Sequence, residues 1–457
     1  MQNWLPDLGA ESGPKYRAIA DAIGRAIRGG VLRAGERLPP QRDLARLLGV
    51  DLTTVTRGYG IAREAGLIEG AGRLGSYVRN SAAPVADGAS DDTGMNMPPQ
   101  PGFGLLDEAI RTGTAALLRA GGRSPLLQYQ PSGGNAHDRA QAAEALVARG
   151  IATTEDQLAI TAGGQNALHA ILGTTLSAGD RICTGAHTYP GLLALAARLG
   201  IQLSPVEMDA QGMDPAALEQ AIAGGAKAIY LVPTNDNPTA ATLGIERRHA
   251  IAEIARRHGA TIIEDDAYGQ LPSQPLPSLA SLIPERTWHI ASTSKVISPV
   301  LRVAHLRAPT IGDAWLLARQ VHETAVMAPP LNAALVSAWL RDGTFAELVA
   351  GVRAEAVARQ RIAARHLTGL NYAAHPEGYH IWLKFDGERV TGAELAAGLR
   401  STGLSIVPGE AFSPRKDKAV AAVRISIGGA IDHDRLGRAF ERVAALLHGR
   451  ASGSAWI

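Results

Sequence analysis

The sequence has one cysteine in 457 residues, Cys183, so no disulfide can form within the chain. It lies in the apolar run DRICTGA, where a small core filler is expected rather than a reactive thiol. No apolar run reaches the roughly 18 residues that a bilayer span needs. The opening MQNWLPDLGAESG lacks the basic start and apolar stretch of a secretory signal, so the cytoplasm is the expected location. No repeat recurs at solenoid spacing. An excess of either charge is lacking too, with 45 Lys and Arg against 43 Asp and Glu. That balance is uneven along the chain: residues 1–79 hold 12 basic and 8 acidic side chains, the remainder 33 and 35. The small end is the basic end, which points towards nucleic acid, although a solvated basic surface gives the same imbalance.

The chain is too long for one ordinary core and predicts two or three domains. A composition of 46% hydrophobic and 19% charged residues is that of a globular protein, and 51 Gly with 26 Pro implies many turns. From Arg79 the stretch RNSAAPVADGASDDTGMNMPPQPG has almost no large apolar residue before Phe103. It reads as a linker, dividing the chain into residues 1–79, 80–101 and 102–457. Beyond it, helix-period segments alternate with QLAIT, DRICT, AIYLVP, ATIIEDD and TWHIAS, an α/β pattern that predicts a mainly parallel sheet. From about Phe345 a helical run, then GYHIWLKF, LSIVPG and AVRISIG, predicts a smaller α+β lobe.

In the first 79 residues, Ile19, Ile23 and Ile27 recur at spacing four, a helix face closed by a Gly pair. QRDLARLLGV reads as a short helix ending at Gly49, and Asp51 can cap the helix that follows. Two helices joined so tightly make a helix-turn-helix, and AGRLGSYVR supplies a turn and strand for a β-wing. The segment resembles the winged helix-turn-helix of the GntR family through Pro14, Tyr16, Gly30, Leu32, Gly35, Leu38, Pro39, Arg42, Leu44, Ala45, Thr54, Val55, Tyr59, Gly75 and Val78. The resemblance implies that Arg42, Thr53, Thr54 and Thr56 contact operator DNA, with Gly75 and neighbouring Arg73 in the wing. Three positions depart from the family pattern. Gly58 stands for the usual Ala, with an expected cost in helix propensity alone, Leu52 for Arg and Arg73 for Gly, so operator preference is open.

In the larger part, chemistry gathers where the expected strands end, the usual ligand crevice of open α/β sheets. AGGQN is a Gly turn into a helix whose free N–H groups suit a phosphate. HTYPG, TNDNPTA, DDAY and TSKVISPVLR follow the other strands. Taken singly, Asp265 and Asp266 read as helix caps, Tyr189 as core and Arg424 as a surface residue. Together a lysine, a carboxylate, a phosphate cradle and a flat aromatic are what pyridoxal phosphate (PLP) needs. From about Leu126 to Ile427 the chain resembles fold-type I PLP-dependent aminotransferases. The resemblance implies that Lys295 forms the imine to the cofactor, Asp265 holds the pyridine nitrogen, and Tyr268 and Asn237 contact the ring oxygen. It implies further that Tyr189 stacks on the ring and that Gly164, Gln165, Ser292, Ser294 and Arg302 bind phosphate. Tyr129 is then the residue that reaches a partner subunit's phosphate in a homodimer, and Arg424 the clamp on a ligand α-carboxylate. Ala240 replaces the usual Gly after NPT, and GYH replaces a commoner Gly-Gly stretch.

Both halves in this order resemble the MocR subgroup of GntR regulators. The resemblance implies a PLP-dependent, DNA-binding transcriptional regulator that senses an amino-acid-like effector. A working aminotransferase, and a regulator that answers to PLP itself, are the alternatives. No metal site is expected.

Overall fold

In a computed structural model, the described residues are 4–6, 14–28, 31–33, 35–64, 66–70, 75–78, 94–102, 104–120, 128–388, 390–415 and 419–449. They divide into two compact units, Met1–Asp91 with Gly102–Leu105, and Asp92–Pro101 with Leu106–Ile457.

The first unit contains α1 (Lys15–Arg28), α2 (Gln41–Leu48), α3 (Leu52–Glu64) and a two-stranded wing, β1 (Ile68–Gly70) and β2 (Ser76–Val78). Ile19 and Ile23 are fully buried, as their spacing predicts, and pack with Leu32, Leu38, Leu44, Val55, Tyr59, Ile68 and Val78. Gly49 ends α2 in the left-handed conformation, at φ +61°, with its N–H turned back on the helix. Asp51 caps α3 by accepting from the Thr53 N–H at 2.8 Å. In the wing Ile68 pairs antiparallel with Val78. The Tyr59 hydroxyl donates to the Pro39 carbonyl at 2.8 Å, tying α3 to the chain that enters α2. Gly30 and Arg73 lie outside the described residues.

Gly58 has a role that helix propensity does not capture. A Cβ at this position would sit 2.9 Å from the Tyr16 carbonyl oxygen and 3.0 Å from the Ile19 Cβ, so its bare backbone is what lets α1 lie against α3.

The second unit is built on a seven-stranded sheet of β3 (Leu158–Thr161), β4 (Arg181–Gly185), β5 (Gln202–Val206), β8 (Ala228–Leu231), β9 (Thr261–Asp265), β10 (Thr287–Ser292) and β11 (Ala304–Arg307). Its order is β3-β11-β10-β9-β8-β4-β5. Only β11 runs antiparallel to its neighbours. Every residue of β3, β8, β10 and β11 is buried, the signature of a sheet covered on both faces. A small ribbon, β6 (Met208–Asp209) and β7 (Gly212–Met213), follows β5. The smaller lobe is an antiparallel sheet of β12 (Asn371–Ala374), β13 (His380–Lys384), β14 (Ser405–Pro408) and β15 (Ala422–Ser426), ordered β12-β13-β15-β14. Among the helices, α4 (Leu105–Ala120) and α5 (Ala136–Ala148) precede the sheet. Two more, α6 (Gly164–Thr175) and α7 (Pro190–Leu199), start at its carboxyl edge. Cys183 is buried in β4 as expected, and burial pushes its thiol up to about 12. No helix among the described residues is long and apolar enough to cross a membrane.

The end of the expected linker belongs with the second unit. Asn96, Pro98 and Pro99 are buried there, and the Gly429 N–H donates to the Pro98 carbonyl at 3.2 Å. The Met97 carbonyl lies so close to Gly428 that no Cβ fits between them.

The crossing at Gly58 gives a direct test. Gly58→Ala should destabilise the first unit by about 1–3 kcal/mol, the usual cost of overpacking, despite the better helix propensity of alanine. Hydrogen exchange in α1 and α3 should rise; unchanged protection would mean that the crossing yields without cost.

Candidate functional site

The second unit brings its motif residues together at the carboxyl ends of β3, β9 and β10. At the end of β9, Asp265 accepts from the Tyr230 hydroxyl at 2.8 Å. Burial pushes its carboxyl up to about 6, despite the Tyr230 bond and the positive charge of Lys295. Its neighbour Asp266 does different work: it pairs with Arg149 at 2.6 Å and with His289 at 3.2 Å, which hold it ionised although burial opposes its charge. Beyond β10, withdrawal from water brings the Lys295 amine down to about 8, and the nearby Arg424 cation adds to the shift.

A second cluster surrounds the N-terminus of α6. Gly163, at φ +86°, is a position where a Cβ would lie 3.0 Å from the Arg302 guanidinium, and one on Gly164 would lie 3.5 Å from Ser292. Arg302, itself left-handed at φ +50°, donates to the Ala162 carbonyl at 2.7 Å. The Ser294 N–H reaches the Ser292 hydroxyl at 3.3 Å, while the Ser294 hydroxyl is buried with no hydrogen-bond partner. Glycines without side chains at a helix start, an orphaned hydroxyl and an arginine facing them together form an anion cradle. Gln165 donates to the Gly191 carbonyl at 3.2 Å, and its own Oε1 is buried without a partner. The Tyr189 ring lies directly against Gly191, where a side chain would collide with it.

Arg424 is buried in β15. Its Nη1 donates to the Asn237 Oδ1 at 3.1 Å and its Nη2 to the Gly94 carbonyl at 2.6 Å, with the guanidinium 5.1 Å from the Phe412 ring centre. Ala240 adopts φ +58°, where a Cβ is strained, which accounts for the glycine usual after NPT. Tyr129 does not join the cluster within this chain; it is 85% exposed.

Several residues of the site carry no motif signal. The Asn96 side chain donates to the Tyr268 hydroxyl at 3.0 Å and to His380 Nδ1 at 3.1 Å, and accepts from the Ser426 hydroxyl at 2.8 Å. Its carbonyl accepts from Lys295 Nζ at 2.6 Å. His380 Nε2 donates to the Asp236 carbonyl at 2.9 Å, and burial lowers its imidazole to about 3, so the ring is neutral with its proton on Nε2. The Tyr379 hydroxyl donates to the Lys295 carbonyl at 2.8 Å and steadies the lysine's backbone. Of these, Tyr379 and His380 lie in a stretch, GYH, that the sequence marks as unusual.

In the first unit Arg42, Thr53 and Thr56 are exposed on α2 and α3, and Thr54 is half-buried. The Thr53 hydroxyl donates to Asp51 at 2.7 Å and the Thr56 hydroxyl to Gln41 at 2.9 Å. Each keeps lone pairs that can still accept. Gly75 sits at φ +108° beside the Arg37 guanidinium.

Residues 99–443 match the family described as aminotransferase class I and II, three-quarters of the chain. The chain belongs to that family. Residues 15–78 match bacterial regulatory proteins of the gntR family, and the combination is that of the MocR subgroup. The uncharacterised HTH-type transcriptional regulator YdeF of Bacillus subtilis is 28% identical over 93% of this chain and 92% of its own length. The vitamin B6 salvage pathway transcriptional repressor PtsJ of Salmonella typhimurium is 29% identical over 88% and 91%. Among solved structures, LysN, an α-aminoadipate aminotransferase of Thermus thermophilus complexed with N-(5'-phosphopyridoxyl)-L-leucine, matches with a TM-score of 0.71 at 25% identity. The match covers 78% of this chain and 92% of that one. The mixed sheet and smaller antiparallel lobe are thus those of a fold-type I aminotransferase.

The depressed lysine predicts a pH profile. A neutral amine attacks carbonyls and an ammonium does not, so reductive labelling of Lys295 by a small aldehyde should rise as pH passes through about 8. A profile rising only near pH 10.5, the value of an ordinary lysine, would show that Lys295 stays solvated.

Proposed function

We propose that this chain is a PLP-dependent transcriptional regulator that binds double-stranded operator DNA through its first unit and an amino-acid-like effector through its second. The observation that carries the reading is the buried Lys295, within reach of the charges of Asp265, Arg424 and the Arg302 that faces the α6 anion cradle, in a chain that also has a winged helix-turn-helix. Regulators span nearly the whole chain, and an aminotransferase neighbour holds a phosphopyridoxyl amino acid. The orphaned Ser294 hydroxyl and the bare Gly163 and Gly164 fit a phosphate ester.

In this reading Ser292, Ser294, Arg302, Gly164 and Gln165 hold the phosphate, and Lys295 supplies the amine that links to the cofactor. Asp265 faces the pyridine nitrogen; a proton shared there suits a carboxyl raised to about 6. Tyr268 and Asn237 hold the ring oxygen, and Tyr189 covers the ring face. The cofactor supplies an electrophilic carbon and an electron sink. Arg424 takes the effector's carboxylate through a bidentate pair. Tyr129, so exposed in one chain, reaches the partner's phosphate in a homodimer, and the protein works in the cytoplasm.

Transamination is a second reading, because Lys295, Asp265 and Arg424 are all present in one crevice. Release of keto acid over many turnovers supports it; a single stoichiometric exchange supports sensing.

A gel shift on the DNA upstream of the protein's own coding sequence, paired with visible spectra, tests the main reading. Lys295→Ala should lose the borohydride-reducible link and the visible band formed with PLP. Arg42→Ala and Thr54→Ala should keep that band and weaken the operator complex, by about tenfold for each lost contact of some 1–2 kcal/mol. Unchanged gel shifts in both would remove the DNA assignment, and an unchanged band in Lys295→Ala would remove the cofactor assignment.

A further inference from the structure

Resting on the effector reading above, we propose that the backbone segment Gly94–Pro99 occupies the carboxylate subsite of the second unit, and that an effector must displace the Gly94 carbonyl to bind.

The Gly94 carbonyl oxygen lies 2.6 Å from Arg424 Nη2 and so takes one arm of the guanidinium fork, with Asn237 on Nη1. A carboxylate that binds the fork with both oxygens needs the arm that Gly94 holds. The segment is also anchored where the lysine chemistry takes place, because the next residue but one, Asn96, accepts from Lys295 Nζ through its carbonyl. A ligand amine approaching Lys295 and a ligand carboxylate approaching Arg424 therefore meet the same stretch of chain. Both contacts are to neutral carbonyls, whereas a carboxylate brings a full negative charge and two oxygens to the guanidinium fork, so an anion can win the exchange.

The segment is built to dock in one place. Asn96 is 1% exposed, and its amide meets Tyr268, His380 and Ser426 at once. Farther on, the Pro98 carbonyl accepts from the Gly429 N–H, and Gly428 has no side chain where Met97 passes. Gly94, at φ +65°, takes a backbone conformation that glycine adopts freely, and its carbonyl lies on Arg424. The displaceable end of the segment is its N-terminal end, on the side from which the chain returns to the DNA-binding residues. Carboxylate binding thus reports to the connecting chain by releasing Gly94 while Asn96–Pro99 stay anchored.

Gly94→Ala tests this. A Cβ there would make only ordinary contact, 3.5 Å from Val407 Cγ2, so its cost falls on the left-handed backbone. That cost weakens the competitor and frees Arg424. The PLP-loaded full chain is titrated with L-amino acids and with the matching amines that lack the carboxylate, following the visible spectrum. Gly94→Ala should tighten amino-acid binding by about 5-fold or more while the amines change by less than about 2-fold. In wild type, hydrogen exchange at Gly94 and Met95 should rise on adding the amino acid and stay constant on adding the amine. If amino acids outbind amines through Arg424, shown by loss of that preference in Arg424→Ala, yet Gly94→Ala and the exchange rates show no effect, displacement is wrong and the carboxylate clamp stands. If Arg424→Ala keeps the preference, or no amino acid binds wild type, the clamp is wrong and this inference falls with it.

Discussion

The second unit depends on cations held partly out of water. Lys295 and Arg424 approach one crevice from opposite lobes, and the acidic group that answers them, Asp265, is itself raised to about 6 by burial. Two like charges 4–8 Å apart at an effective dielectric near 20 repel by about 2–4 kcal/mol. The protein offsets this with the Asn237 side-chain oxygen and the carbonyls of Gly94 and Asn96 rather than with further carboxylates. Neutral acceptors leave the crevice short of negative charge, and a ligand bearing phosphate or carboxylate completes it. Burial lowers the lysine first, and the neighbouring Arg424 and Arg302 cations, only partly answered by Asp265, add to the shift.

The scaffold explains how such a crevice persists. Parallel strands β8, β9 and β10 deliver Asp265 and Ser292 at their carboxyl ends, and an antiparallel β11 brings the chain back after Arg302. The turns that aim these groups are strained: Asn235, Ala240 and Arg302 all have positive φ without being glycine, at a typical cost of about 1–3 kcal/mol each. The fully buried strands beneath supply the packing that holds them.

How much of this was legible in the sequence follows from chain distance. Lys295, Ser292, Ser294 and Arg302 lie within eleven residues, and Asp265 and Tyr268 within four, so each set keeps a fixed spacing because one strand and one turn build it. The helix-turn-helix was legible for the same reason, with Gly49 and Asp51 marking its turn. Asn96 was not: it sits in a Pro- and Gly-rich stretch that reads as linker, and its partners Tyr268 and Ser426 lie 172 and 330 residues away. The tight α1–α3 crossing at Gly58 is likewise a tertiary constraint, and helix propensity alone predicts the opposite preference. Strand β11 has no strand signal in the sequence because AHLR is short and carries two polar residues, His305 and Arg307, both of which the fold buries.

The buried polar groups near Lys295 also explain why a neutral amide stands at position 96. Asn96 offers two donors and one acceptor to three side chains, and an aspartate could not donate to both Tyr268 and His380 Nδ1. With Nε2 committed to the Asp236 carbonyl, His380 needs a donor on its other nitrogen; a charged imidazole there would face Arg424 and Lys295 as well. The amide therefore fixes a proton arrangement: Tyr268 accepts from Asn96 and keeps its own hydroxyl proton free to donate, towards the position that the ring oxygen takes in this reading. A half-satisfied network would lose that direction, because a buried donor or acceptor without a partner costs about 1–3 kcal/mol and draws neighbouring groups to itself. The same residue thus orients the phenol through its side chain and meets the lysine through its backbone, which ties the stretch before the large lobe to the chemistry inside it.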